Sequence, residues 1–405
     1  MISTPTTAAN SRTSWLATTD GSSPADSPVA GLQLSGIAKV LGGRTIVDHL
    51  DLTVGKGELI CLLGPSGCGK TTTLRMIGGF LQPDAGRLHI DGVDHTYSKP
   101  ERRPTAMVFQ NYALWPHMSV SKNIAFGLKI RKMSSTQIKE KIDWALDLLG
   151  LQHHRDSMPA RISGGEQQRV ALARALVLEP EVLLMDEPLS NLDAKLRVQV
   201  RETIKEIQQR LGITTVFVTH DQEEALSIAD RIAVMNGGRI EQLAPPAELY
   251  RLPRTTFVAG FVGAMNVFDS GPDNGIITLA DGGSLPCGSF SGRRGDSCWV
   301  RPEDIQITDP GAAGTGRAVV LRVIPRGHYR EVLLQSHGTA LRAFSDDDPQ
   351  PEQVVGVRAT RALVYSDGLL VEDDETVATE GQSAGVRSGG GTTPVAVGFG
   401  QGPTV

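Results

Sequence analysis

Residues 64–71, Gly-Pro-Ser-Gly-Cys-Gly-Lys-Thr, narrow the folds open to this chain more than any other stretch. They match G-x4-G-K-[ST] in full, between the aliphatic run Leu59–Leu63 and a helical pattern that begins near Thr71. A strand that feeds such a loop into a helix N-terminus builds a cradle for polyphosphate. Its glycines let successive backbone N–H groups point inward, and the helix end adds partial positive charge. The pattern gives nucleotide-binding roles to Gly64, Pro65, Ser66, Gly67, Cys68, Gly69, Lys70, Thr71 and Thr72. Lys70 serves the β and γ phosphates, and the Thr71 hydroxyl serves Mg²⁺. A nucleophile elbow G-x-S-x-G would need glycine where Cys68 stands. Cys68 reads as a small residue suited to a crowded loop rather than as a reactive thiol.

The rest of the chain supplies the frame such a loop requires. Leu59–Leu63, Val182–Met185, Thr214–Thr219 and Ile232–Met235 are short aliphatic runs, which suits strands buried on both faces of a mostly parallel sheet. Ser134–Leu149 and Asp193–Leu211 have helical spacing, so the texture is that of an α/β domain. Asn236–Gly237 between Ile232–Met235 and Arg239–Leu243 predicts a hairpin. Beyond Met265 the helical patterns stop. Cys298–Arg301, Val319–Ile324, Glu331–Gln335 and Ala362–Tyr365 predict a small all-β, OB-like barrel of roughly 100 residues. The division expected is a disordered tail at 1–30, an α/β domain at 31–264, a barrel at 265–375 and a flexible Gly-rich tail at 376–405. The first segment lacks the apolar core of a secretory signal. No apolar run approaches the roughly 20 residues a membrane span needs. Net charge −5 and a pI near 6.0 exclude a chain-wide basic footprint, so no nucleic-acid partner is expected. Cys61, Cys68, Cys287 and Cys298 are too sparse for a disulfide scaffold and lack zinc-site spacing.

Three further segments carry chemistry. Val182–Met185 runs into Asp186-Glu187-Pro188, which places two carboxylates at the C-terminal end of a buried strand, where ligands of parallel sheets bind. Strand alternation should aim them apart, Asp186 toward Mg²⁺ and Glu187 toward a hydrolytic water that it deprotonates. His220 ends the run Thr214–Thr219 and is placed to reach a γ-phosphate or to hold the water with Glu187. Ile162-Ser163-Gly164-Gly165-Glu166-Gln167-Gln168-Arg169 precedes a helical pattern through Leu178, with Ser163 as its cap and two glycines that let an anion approach. His153 and His154 lie in a polar segment with no partner at ligand spacing, and surface positions are expected for both.

The phosphate loop, Gln110, the 162–169 run, Leu183–Pro188, Ser190-Asn191-Leu192-Asp193 and His220 together resemble the nucleotide-binding subunit of an ATP-binding-cassette transporter, in that family's order and spacing. The likeness implies a P-loop cassette with a helical subdomain. By that likeness Gln110 touches Mg²⁺ and senses the γ-phosphate, and Thr71 and Asp186 complete the metal set. Ser163, Gly164, Gly165, Glu166 and Gln167 become the signature that meets ATP across a head-to-tail homodimer, Asp193 the D-loop acid and His220 the switch histidine. Phe261-Val262-Gly263, Asn266 and Val300–Asp304 resemble the accessory (TOBE-like) barrel of import ATPases, and Tyr112–His117 looks like the same subgroup. Three positions depart from the pattern. Leu41 occupies the usual place of an adenine-stacking aromatic, and Ile162 and Glu166 stand where Leu and Gln are commoner, Glu166 bringing negative charge toward a phosphate site.

The resemblance implies an ATPase that works with ATP and Mg²⁺, peripheral to the cytoplasmic face of the inner membrane. Its implied partners are integral-membrane permease subunits and, through them, a solute-binding protein. A polyamine, organophosphonate or ferric iron leads as the solute, with sugar or sulfate next. The segment 111–159 should transmit motion to the permease, with Tyr112 and Trp115 as exposed aromatic contacts or, equally, as core. Three rival readings stand beside this one: a soluble cassette ATPase acting on nucleic acid or ribosomes, a barrel that chiefly regulates, and a cassette exporter.

Overall fold

The computed structural model describes residues 30–292 and 295–371. Apart from Ala30, the tails expected at 1–30 and at 376–405 lie outside the described residues.

A six-stranded sheet sits at the centre of the first region. Its order is Arg239–Ala244, Arg231–Asn236, Leu59–Leu63, Thr214–Thr219, Val182–Asp186, Thr105–Val108, all parallel except the hairpin strand at the first edge. The period of two explains why these runs are apolar throughout. Leu59, Cys61 and Leu63 face one core with Leu183, Met185, Phe217 and Val234, beneath the helices. Ile60 and Leu62 face the other with Val182, Leu184, Val216 and Val218. That second core is closed by a four-stranded antiparallel sheet, ordered Arg44–Gly55, Ala30–Leu41, Ala85–Ile90, Val93–Asp94. Leu32, Leu34, Leu52 and Val54 supply its inner face. The turn joining Arg231–Asn236 to Arg239–Ala244 uses Gly237 and Gly238, at φ 53° and 85°, while Asn236 is itself paired with Arg239. Two left-handed residues are what a two-residue hairpin loop needs.

Helix ends follow local capping chemistry. Ser134 and Gln137 close a capping box on Ser135–Leu148. Asp193 caps Ala194–Leu211 by accepting from the Leu196 N–H, and Gly212 ends that helix in the left-handed region. The hairpin of helices Val120–Ile130 and Ser135–Leu148 packs on Gly164–Leu176 and forms the helical part of the region.

From Asn266 onward ten strands form one sheet that curls into a nearly closed barrel. The long strand Val354–Ser366 is its spine and pairs with five others, among them Ser284–Phe290 in the parallel sense. Its core holds Val300, Val320, Val332, Leu334 and Val357. Arg301 fastens the barrel to the helices before it. Its guanidinium donates to Val262 O and, at 2.8 Å, to Tyr250 O, and it lies 3.9 Å over the Tyr250 ring. Asn266 joins strands inside the barrel, donating to Arg342 O at 2.9 Å and accepting from the Arg342 N–H at 2.7 Å. Arg301 and Asn266 therefore both act as fasteners.

Candidate functional site

The parallel strands end on one side of the sheet, and the loops that follow them converge there, as the topology of such sheets requires. The loop after Leu63 wraps a helix N-terminus. A Cβ on Gly64 would stand 2.3 Å from Met235 O, and one on Gly69, at φ 103°, would stand 2.7 Å from Ile46 O. Neither position has room for any other residue. Lys70 Nζ donates to Gly64 O at 2.7 Å and Pro65 O at 3.0 Å, so the ammonium is held inside the loop it serves. Cys68 is 3% exposed, its sulfur 3.7 Å from that ammonium, which fits the small-residue reading. Ser66, Gly67, Lys70, Thr72, Glu187 and Leu41 border a cleft of about 400 Å³.

Thr71 Oγ1 donates to Asp186 Oδ1 at 3.0 Å. Burial pushes the Asp186 carboxyl above its usual range, with the Thr71 hydroxyl pulling it back. A hydroxyl and a buried carboxylate at this separation form a hard-oxygen donor set that suits Mg²⁺. Glu187 is turned away from Asp186 by the backbone. Its φ is 43°, a left-handed kink straight after the strand, fixed by its N–H donating to Val218 O at 3.0 Å. The separation of the two acids therefore comes from that kink and not from strand alternation, which corrects the physical reason expected from the sequence. Glu187 Oε2 lies 3.3 Å from Gln110 Nε2 and 3.2 Å from His220 Nδ1. Three residues far apart in sequence thus meet at one carboxylate oxygen. With its amide nitrogen on Glu187, Gln110 keeps its amide oxygen available as a metal donor.

The second helix end is built by its own set of contacts. Ser163 caps Gly164–Leu176 in a full capping box. Its Oγ accepts from the Glu166 N–H, while Glu166 Oε2 accepts from the Ser163 N–H and hydroxyl, each at 2.8 Å. Glu166 brings its negative charge to this helix end as expected from the sequence, with both carboxylate oxygens engaged. Burial pushes its pKa up, but the bonds from Ser163 and from His154 outweigh this and hold it down at about 2. His154 Nε2 sits 3.0 Å from Glu166 Oε1, so His154 has a partner that its local spacing concealed, whereas His153 is exposed as expected. Gly165 packs closely on Leu196, whose side-chain end would have to shift to admit a Cβ 2.8 Å away. The Gln167 side chain turns back to Pro159 O at 3.1 Å.

Of the two aromatics considered as exposed contacts, Tyr112 is buried in the main core and Trp115 is exposed. Trp115 packs on Phe126 with ring centroids 5.4 Å apart. The loop carrying them is organised by polar side chains, of which sequence reasoning passed over Asn123 and Arg174. Asn123, fully buried, accepts from the Trp115 N–H and donates to Trp115 O and Met118 O. Arg174 donates to Tyr112 O and Ala113 O, and Asn191 donates to Gln110 O at 2.8 Å. An amide among Val120, Ile124 and Leu128 on one helix face was the available signal for Asn123, because a polar side chain in an apolar stripe must be bonded to something.

Leu41, 43% exposed, borders the cleft where a base would lie. Leu41→Trp should tighten ATP about three- to tenfold, the gain of an offset stack worth about 0.7–1.4 kcal/mol. A fluorescent-nucleotide titration reads it, and an unchanged constant would place the base elsewhere.

Comparison with known proteins follows the same lines. The ABC transporter family profile matches residues 47–190. The Fe(3+) ions import ATP-binding protein FbpC of Escherichia coli K12 is 43% identical over 308 residues, 76% of this chain and 88% of that protein. The sn-glycerol-3-phosphate import ATP-binding protein UgpC of Ruegeria pomeroyi is 47% identical, covering 68% and 79%. The spermidine/putrescine import ATP-binding protein PotA of Frankia alni is 45% identical, covering 76% and 72%. Among solved structures, cbiO1 of Clostridium perfringens, part of the ABC transporter complex cbiONQ, superposes with a TM-score of 0.52 at 29% identity. It covers 55% of this chain and 91% of that one.

Proposed function

This chain belongs to the ABC transporter family as an import-type ATP-binding subunit, and on that premise we propose that it hydrolyses ATP between two copies of itself to drive a permease. It is the ATPase of an importer, and the reading that sends a cassette to nucleic acid or ribosomes is dropped. One observation carries the site assignment: Gln110, Glu187 and His220 converge beside the Lys70–Thr71–Asp186 cradle. Residues 31–264 act as the cassette and 265–375 as the accessory unit.

Thr71, Asp186 and Gln110 would hold Mg²⁺, which supplies charge neutralisation along the phosphates. Lys70 and the loop N–H groups bind the triphosphate. Glu187 accepts a proton from the attacking water, and His220 and Gln110 keep that carboxylate aimed. Ser163 and the N-terminal end of its helix meet the γ-phosphate bound to the other copy, with Asp193 at the same interface. Loss of the γ-phosphate removes donors from both sides and lets the pair reopen, the logic of other γ-phosphate switches. Trp115 and the loop held by Asn123 face the permease, at the inner membrane's cytoplasmic side. Among the described residues no helix is long and apolar enough to cross a membrane, in keeping with a peripheral subunit. A binding protein would deliver a small charged solute. Ferric iron, a polyamine or an organophosphonate leads, since relatives are named for iron, polyamine and glycerol-phosphate import. Sugar or sulfate follows.

A crystal of the chain with a non-cleavable ATP analogue tests the arrangement. Lys70 of one protomer and Ser163 of the other should contact one phosphorus centre, and Lys70 and Ser163 remote from each other would sink the dimer reading.

A further inference from the structure

Among the described residues one cluster of histidine and carboxylate side chains lies outside the Thr71–Asp186–Glu187 group. We propose that His153, His154 and Glu166 form a binding site for a borderline divalent transition metal, Zn²⁺ fitting best, clipped between the turn Gln152–His154 and the N-terminal end of the helix Gly164–Leu176. Each of the three offers one ligand atom, and these atoms lie within 4.8 Å of one another. His154 Nε2 and Glu166 Oε1 are 3.0 Å apart. Two ligands about 2.0–2.1 Å from a tetrahedral zinc stand about 3.3 Å apart, so this pair needs to open by only a few tenths of an ångström. His153 is exposed and free to rotate onto the third position, its ring centroid 4.1 Å from that of His154.

Both half-buried ligands are already oriented by outer partners. His154 Nδ1 lies 3.2 Å from Ser157 Oγ, which leaves Nε2 to face Glu166. Glu166 Oε2 is held at 2.8 Å by both the Ser163 N–H and hydroxyl, which leaves Oε1 to face His154. Outer bonds of this kind fix ring and carboxylate orientation in metal sites. Two imidazoles and one carboxylate select Zn²⁺, Co²⁺ or Ni²⁺ over Mg²⁺, which prefers oxygen donors and near-octahedral hydration. Three protein ligands leave a fourth position for water. A bound cation ties the turn to the helix and neutralises the carboxylate that caps Ser163. Occupancy therefore bears on the helix end that the proposed dimer turns toward the other copy's γ-phosphate, which is why the test is run free of nucleotide.

The test uses the full chain without an affinity tag, stripped with chelator, free of nucleotide and in excess Mg²⁺. Co²⁺ is titrated by visible absorption and Zn²⁺ by calorimetry and by competition. One equivalent should bind, and Mg²⁺ should not displace it. His153→Ala should weaken Zn²⁺ by at least about tenfold, and His153→Ala with His154→Ala should abolish the stoichiometric phase. Cys287→Ser should leave it unchanged. His153 is exposed, so the single variant keeps its fold, and its thermal unfolding curve checks that. Absence of a cobalt band in the parent chain, displacement by Mg²⁺, or parental affinity in a folded double variant each overturns the proposal.

Discussion

Glu187→Gln should cut steady-state ATP hydrolysis by about 10²–10⁴ while leaving ATP affinity near the parental value. The size follows from the role: a proton acceptor within reach of the attacking water contributes about that factor, and glutamine cannot take the proton. Binding should survive because the triphosphate contacts reside in Lys70, Thr71 and the loop N–H groups. The geometry also limits collateral damage. Glu187 is held by its own backbone bond to Val218 O, which the substitution does not touch, and Gln110 and His220 can still hydrogen-bond a side-chain amide. ATP should therefore persist in the variant and keep two copies together. Gel filtration with ATP and Mg²⁺ reads this as a lasting dimer, and the parent shows one only transiently. Parental turnover in the variant would take the general-base role from Glu187, and loss of ATP binding would make the residue part of the cradle instead.

The parts of this site legible in the sequence are those whose chemistry is local. A loop that must lay backbone against phosphate needs glycine at Gly64 and Gly69, and a strand sandwiched between two layers has no polar face, which is why Leu59–Leu63 and Val182–Met185 stand out. The outer antiparallel sheet is harder to see. Leu32 and Leu34 pair with Ile90 and Leu88, more than fifty residues away along the chain, so no local pattern marks the sheet as one unit. The barrel's spine Val354–Ser366 shows only its end, Ala362–Tyr365, because Arg358, Thr360 and Arg361 interrupt the apolar pattern further back. The kink that turns Glu187 from Asp186 is a backbone property with no residue signature, since glutamate is an unfavourable choice for a positive φ. Such a conformation costs about 1–3 kcal/mol and persists where the surroundings over-determine it. Likewise the His154–Glu166 pair is closed by a turn and a helix cap, and its two residues are too far apart in sequence for any periodicity to link them.

Asp186→Asn should act on stability and turnover in opposite directions. Asp186 is 8% exposed, and burial raises its pKa above the usual 3.8, so the ionised carboxylate destabilises the nucleotide-free fold. The sign is definite. For an acid whose folded pKa is raised, the penalty is absent below the unfolded value and grows as pH rises through the folded one. Asparagine has no charge to bury, and its amide oxygen can still accept the Thr71 hydroxyl. The melting temperature of the nucleotide-free variant at neutral pH should therefore rise above that of the parent. The gain should vanish well below the usual 3.8, where the parent's carboxyl is protonated in both states. Hydrolysis should fall by about 10²-fold or more, because a neutral amide is a far weaker Mg²⁺ donor and leaves phosphate charge uncompensated. The melting point raised by ATP and Mg²⁺ in the parent should barely move in the variant. Calorimetry at neutral pH and well below 3.8, with and without nucleotide, separates these effects. A variant that melts below its parent at neutral pH would make Asp186 a structural anchor. One that is stabilised but inactive shows a carboxylate held in a costly place because hydrolysis requires it there.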